Sequence, residues 1–129
     1  DELAGPLASA GVDVVPLVAP TTGADRLAAL GRLDVPFVYY ISMTGVTGAA
    51  FRGATGADRI GQVRQAAHAP VAVGFGIKTP ADAAQVARIA DGVVVGSAIV
   101  ERIASAATPA AAAEAVATFV AQLRLALDS

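Results

Sequence analysis

The feature that most constrains this chain is a pattern stated four times along it. Each time, a short, nearly unbroken run of β-branched or aromatic residues is followed by a loop rich in Gly and Thr, then by a longer stretch with helical spacing. Runs that are apolar on both faces need cover on both, and the stretches between them have the spacing to supply it, which is the grammar of parallel βα units. The first run is Val12 to Ala19, then Pro20-Thr21-Thr22-Gly23 and a helix predicted over Ala24 to Leu30. Pro16 sits awkwardly within it, because proline removes a ladder hydrogen bond from a strand. The second run, Phe37 to Ser42, leads through a long loop, Met43 to Gly56, into a helix over Ala57 to His68. The third, Val71 to Gly74, is followed by Phe75-Gly76-Ile77-Lys78 and then Thr79-Pro80-Ala81-Asp82. There Thr caps, Pro fits the first helical turn and Asp complements the positive helix end. The fourth, Gly92 to Val95, precedes Gly96-Ser97 and a short helix over Ala98 to Ser105. Thr108-Pro109 then opens a last helix, on which Val116, Phe119, Val120, Leu123 and Leu127 form one apolar stripe.

The 129 residues make a single domain, 1–129. Four βα units are half of an eight-stranded β/α barrel, a fold that takes about 200 residues or more. The expected class is therefore α/β, a TIM (β/α)8 barrel represented by four units, a half barrel. With 55% hydrophobic and 16% charged residues, the chain has too much apolar surface to be disordered. A formal charge of −2 argues against a nucleic-acid or anionic-membrane footprint. Every apolar run is broken by Gly, Pro or a charge, so no membrane span is predicted. The absence of cysteine removes disulfides and thiolate metal sites, and Asp1-Glu2-Leu3 does not resemble the basic start of a signal peptide. These features point to a cytoplasmic enzyme or enzyme piece.

Three glycine clusters follow three successive strands: Gly45-Val46-Thr47-Gly48, Gly74-Phe75-Gly76 and Gly96-Ser97. Glycine lets a backbone N–H approach an anion closely, and a helix start adds positive partial charge, so Gly96-Ser97 reads as a phosphate cradle. The plainer reading of each cluster is a tight turn, and of Ser97 a helix cap. Tyr39 and Tyr40 are strand neighbours, so one faces the barrel interior and the other the helices. Phe75, between two glycines, has the place to lie against an apolar substrate ring. Lys78 reads as a solvated loop charge and His68 as a structural helix end, with no second His or Cys to complete a metal site or triad. No carboxylate lies within the predicted strands except Asp13 near the start of the first, so acid–base chemistry is not visibly supplied.

Four blocks, Leu17-Val18-Ala19-Pro20-Thr21-Thr22, Phe37 through Ala49, Pro70 through Ile77 and Ala90 through Val100, strongly resemble the second half of the tryptophan synthase alpha family in order and spacing. The resemblance implies an eight-stranded β/α barrel lyase of tryptophan biosynthesis. It cleaves indole-3-glycerol phosphate to indole and glyceraldehyde 3-phosphate by a retro-aldol step, without cofactor or metal. It also implies that Gly48, Gly76, Gly96 and Ser97 hold the phosphate, that Tyr39 and Phe75 line the substrate, and that Thr47 assists from a mobile loop. The family's catalytic glutamate and aspartate belong to a part of the barrel that this sequence does not match, so the chain alone is expected to be inactive. The implied partners are the tryptophan synthase beta subunit and a missing N-terminal half barrel, or a second copy of the chain. Two other readings stand beside this one: a non-catalytic, self-associating phosphate-binding half barrel, and another phosphate-binding barrel enzyme similar to those of histidine biosynthesis.

Overall fold

Alternation along one strand decides how the whole sheet faces. Val38 and Tyr40 are buried whereas Tyr39 and Ile41, the residues between and after them, are only half-buried. The fold comes from a computed structural model that describes residues 4–41, 54–74 and 76–128. Its elements are α1 (Ala4–Ser9), β1 (Leu17–Val18), α2 (Ala24–Leu30), β2 (Val38–Ile41), α3 (Ala54–Ala67), β3 (Val71–Gly74), α4 (Pro80–Ala87), β4 (Gly92–Val94), α5 (Ser97–Ser105) and α6 (Pro109–Leu127). The strands form one parallel sheet in the order β1-β2-β3-β4.

Register carries the alternation of β2 across all four strands. Val18, Tyr40, Val73 and Val93 stand in one row. Val38 and Val71 pair on the same face, where the core gathers Leu27 and Leu30 from α2, Ile60 and Val63 from α3, and Val86 from α4. Each such side chain taken out of water contributes about 1.5–3 kcal/mol. The opposite face carries Leu17, Tyr39, Ala72 and Gly92 in one row, and Ile41, Gly74 and Val94 in the next. No described element covers it, and its edge residues Leu17 and Val94 are 61% and 38% exposed.

Several boundaries differ from expectation. The first strand shrinks from Val12–Ala19 to Leu17–Val18. Pro16 has no N–H to give, although its carbonyl accepts the Tyr39 N–H at 3.0 Å and so steers the chain alongside β2. The fourth strand ends at Val94 rather than Val95. Helix α3 begins earlier than expected and stops at Ala67, because His68 turns left-handed (φ 51°) ahead of Ala69-Pro70. Helix α6, where no membrane span was expected, is long and apolar enough by length and composition to cross a bilayer, and little of it is buried. Even so, Phe119 and Leu123 are seated in the core, and Glu114 and Arg124 lie along it.

At the rim where strands begin, Asp91 ties three elements together. Its carboxylate accepts the Val71 N–H at 2.8 Å and the Arg64 Nε–H at 2.9 Å, while its own N–H donates to the Val71 carbonyl at 2.9 Å. Burial alone would raise this carboxyl, but the Val71 N–H and the Arg64 guanidinium outweigh it and hold the group below its ordinary value of 3.8. A carboxyl lowered in the folded state stabilises fully above its unfolded value and loses that contribution as pH falls through the folded one. The melting temperature should therefore fall below about pH 4. Asp91→Asn should cost about 1 kcal/mol at neutral pH and flatten the acid limb, the pair being partly solvated. Thermal melts of both proteins across this range check it; superimposable acid limbs would count against the assignment.

Candidate functional site

The candidate site lies at the rim where the strands end. Gly74 and Val94 are register partners on adjacent strands, so Gly76 and Gly96 each lie two residues beyond one paired level. Gly76 has φ +74°, a conformation that a side chain disfavours, so glycine is required there by the backbone itself. Gly96 occupies the N-cap position of α5 and Ser97 the first helical one. The plainer reading of Ser97 as the cap is thereby corrected: the residue before it ends the loop, and Ser97 stands exposed in the first turn. The Gly96 carbonyl accepts the Ile99 and Val100 N–H groups at 2.9 and 3.1 Å. The N–H groups ahead of these belong to the set that a helix start leaves without an intrahelical acceptor.

Tyr39 is on the uncovered face, with its ring directly over Gly74. A Cβ placed on Gly74 would lie 2.5 Å from Tyr39 Cε2 and 2.8 Å from Cζ, so the ring takes the space that the glycine leaves. Its neighbour Tyr40 points the other way, into the core. Burial raises the Tyr40 hydroxyl above its ordinary value, and the Arg59 charge opposes that rise. Thr47, Gly48 and Phe75 lie outside the described residues, as does most of the loop Met43 to Gly56. Lys78 is exposed beside the capping box of α4, in which Thr79 Oγ1 accepts the Asp82 N–H at 3.1 Å and Asp82 Oδ2 accepts the Thr79 N–H at 2.9 Å.

One anchor escaped the sequence reading. Arg59 on α3 donates through Nη2 to the Thr22 carbonyl and through Nη1 to Gln62 Oε1 at 3.1 Å. Thr22 Oγ1 in turn accepts the Ala19 N–H at 2.9 Å, so the loop at the end of β1 is fastened to α3. Beside it is a cleft of about 230 Å³ whose lining includes Leu17, Thr21, Arg26 and Ile41. Arg59 and Thr22 are 37 residues apart, and no local pattern links them. The uncovered face as described carries an aromatic hydroxyl and apolar groups but no carboxylate or imidazole, so this arrangement can bind and orient.

Comparison with known proteins agrees with this geometry. The family model described as "Tryptophan synthase alpha chain" matches residues 1–127. The tryptophan synthase alpha chain of Phenylobacterium zucineum is 52% identical over 107 residues, covering 82% of this chain and 39% of the relative. That of Burkholderia pseudomallei is 44% identical over 128 residues, covering 98% and 47%. Among solved structures, the alpha chain from Legionella pneumophila superposes with a TM-score of 0.82 at 32% identity, over 99% of this chain and 47% of that one. A structure of the tryptophan synthase α2β2 complex from Pyrococcus furiosus gives 0.77 at 31%, over 96% and 50%. The chain thus spans about half the length of the curated relatives it matches. With a parallel βα sheet, its glycine-bearing rim and a match along nearly its whole length, the chain belongs to the tryptophan synthase alpha chain family.

Proposed function

We propose that this chain is the C-terminal four βα units of a tryptophan synthase alpha barrel and provides the phosphate-holding side of its site for indole-3-glycerol phosphate, in cytoplasmic tryptophan biosynthesis. The observation that carries this reading is the pair Gly76 and Gly96, which step off adjacent parallel strands at one level, Gly96 opening a helix. Backbone N–H groups so arranged suit a phosphate, and Ser97 adds a hydroxyl donor. Gly48 joins them on the family pattern, with Tyr39 and Phe75 against the substrate and Thr47 assisting from the loop. The retro-aldol cleavage needs two proton transfers, and the described inner face holds no carboxylate to make them. The chain therefore binds without cleaving until the first half of the barrel is supplied. The beta subunit is the partner of the completed barrel, by analogy with the α2β2 assembly of the Pyrococcus relative. No metal or cofactor enters this reading.

The test is a titration of the isotope-labelled chain with indole-3-glycerol phosphate, followed by amide shifts. Gly48, Gly76, Gly96 and Ser97 should move together. Ser97→Ala should weaken binding by about two- to tenfold, the worth of one hydroxyl hydrogen bond. No indole should be released until the N-terminal half of a relative is added. Shifts confined to some other surface would overturn the site, and indole release by the chain alone would overturn the division of labour. A second reading, a self-associating half barrel without catalysis, is favoured by the uncovered apolar face of the sheet.

A further inference from the structure

Between β1 and α2 the chain turns on itself and is then tied once to a distant element. The Thr22 N–H donates to the Ala19 carbonyl at 2.9 Å and the Ala19 N–H donates to Thr22 Oγ1 at 2.9 Å, which closes the turn. Those two bonds give the turn its shape without fixing where it sits, and its flanks are short, two residues of β1 and seven of α2. Among the described residues, the hydrogen bond that carries residues 20–22 to another element is the one from Arg59 Nη2 to the Thr22 carbonyl. Arg59 has a fixed base, because Ile60 and Val63 of the same helix are fully buried. Its other arm is held by Gln62 Oε1 at 3.1 Å, and its Nε is buried with no acceptor among the described residues. A buried donor without a partner costs stability, and the guanidinium bears that cost in reaching the Thr22 carbonyl. Its charge also stands near enough to the buried Tyr40 hydroxyl to oppose the rise that burial imposes there.

We propose that Arg59 is a positioning residue of the substrate site: by holding the Thr22 carbonyl it sets the turn of residues 19–22 against the part of the substrate that lies beyond the phosphate. The proposal rests on the phosphate reading above and adds where the other end of the ligand is held. The glycines of that reading stand at the ends of β3 and β4, whereas the turn stands at the end of β1, beside the cleft that Thr21 shares with Leu17 and Ile41. From the gap between β3 and β4 to the gap between β1 and β2 is two strand spacings, about 10 Å. Tyr39, the register partner of Leu17, lies on the same face along that path. A phosphate ester with a bulky far end, seated at Gly76 and Gly96, therefore crosses Tyr39 and brings its far end to the turn. Inorganic phosphate is too small to do so. Arg59 touches neither ligand and acts from α3 through the Thr22 carbonyl.

Titration of the isotope-labelled chain with two ligands, followed by amide shifts, tests this first without any substitution. Inorganic phosphate should move Gly76, Gly96 and Ser97 and leave Ala19, Thr21 and Thr22 in place. Indole-3-glycerol phosphate should move both groups, together with the Arg59 Nε–H resonance. If the larger ligand shifts the glycines but never the turn, the proposal is overturned and the phosphate reading stands. If neither ligand moves Gly76, Gly96 and Ser97, the phosphate reading falls and takes this proposal with it.

Two variants then test Arg59 itself. Arg59→Met keeps the aliphatic stem and removes every donor, so it should weaken indole-3-glycerol phosphate about tenfold, the lower end of what a hydrogen bond to a charged group is worth. Its affinity for inorganic phosphate should stay unchanged. Arg59→Lys keeps a cation and a donor at the tip and should fall between the two. A role in stability alone would lower the melting temperature and leave the ratio of the two affinities where it was, and an unchanged ratio in both variants would overturn the proposal. Phosphate-induced shifts at Gly76 and Gly96 mark each variant as folded. Should the methionine variant lack them, the lysine variant carries the comparison, and a ratio there equal to that of the unsubstituted chain, with Thr22 unmoved by the larger ligand, would overturn the assignment.

Discussion

Gly74→Val is expected to destabilise the chain by about 2–3 kcal/mol, at the upper part of the range for an overpacked site. The branched side chain would occupy the place of the Tyr39 ring, whose Cε2 and Cζ lie 2.5 and 2.8 Å from the Cβ position. The ring is only half-buried, so it can be expelled, but it then leaves its place over the sheet. Tyr39→Ala in the same chain should return most of the lost stability, because the obstruction is gone. Tyr39→Phe should return little, since it removes the hydroxyl and keeps the ring carbons that collide. Urea denaturation of the unsubstituted chain, the three singles and the two doubles forms the two required cycles. Additive losses in the Tyr39→Ala double would mean that Gly74 is needed for some other reason.

Phe119→Ala should cost more, about 3–5 kcal/mol, the usual price of removing a buried aromatic side chain. Phe119 is 2% exposed, and the Arg102 guanidinium carbon is 3.4 Å from its ring centroid while Arg102 Nη1 donates to the Ala98 carbonyl at 2.6 Å. The ring thus joins α6 to α5, and α6 has its packing contacts with α4 and α5. Phe119→Leu fills much of the volume and should lose about 1–2 kcal/mol, the cation–π share together with imperfect packing. In hydrogen exchange, Phe119→Ala should expose the amides of α6 before those of β2 and β3. Uniform loss across the sheet would show that α6 is no separate unit.

Much of this architecture was legible because local chemistry decides it. Thr79 with Pro80 and Asp82, and Thr108 with Pro109, announce helix starts whose hydrogen bonds span three residues, and the structure shows both caps. Tyr39 and Tyr40 had to face opposite ways because a strand alternates, and Tyr40 is the one in the core. The length of β1 was misread, since a run of valines gives the same signal whether or not a neighbour pairs with it, and Pro16 weakened the pairing. Within the site, the strand ends that carry Gly76, Gly96 and Ser97 were legible from Gly and Ser at turns. Thr47, Gly48 and Phe75 lie outside the described residues.

The sequence alone determined the class of fold, the order of the βα units, the two capped helices and the family, all of which depend on residue type and near-neighbour spacing. Only the tertiary structure decided the register that sets Gly76 and Gly96 at one level, the Tyr39 ring over Gly74, the Arg59 tie to Thr22 and the Asp91 junction of Arg64 with Val71. These join residues that local spacing does not bring together. Their geometry follows from how helices and strands pack once formed, which no local pattern encodes.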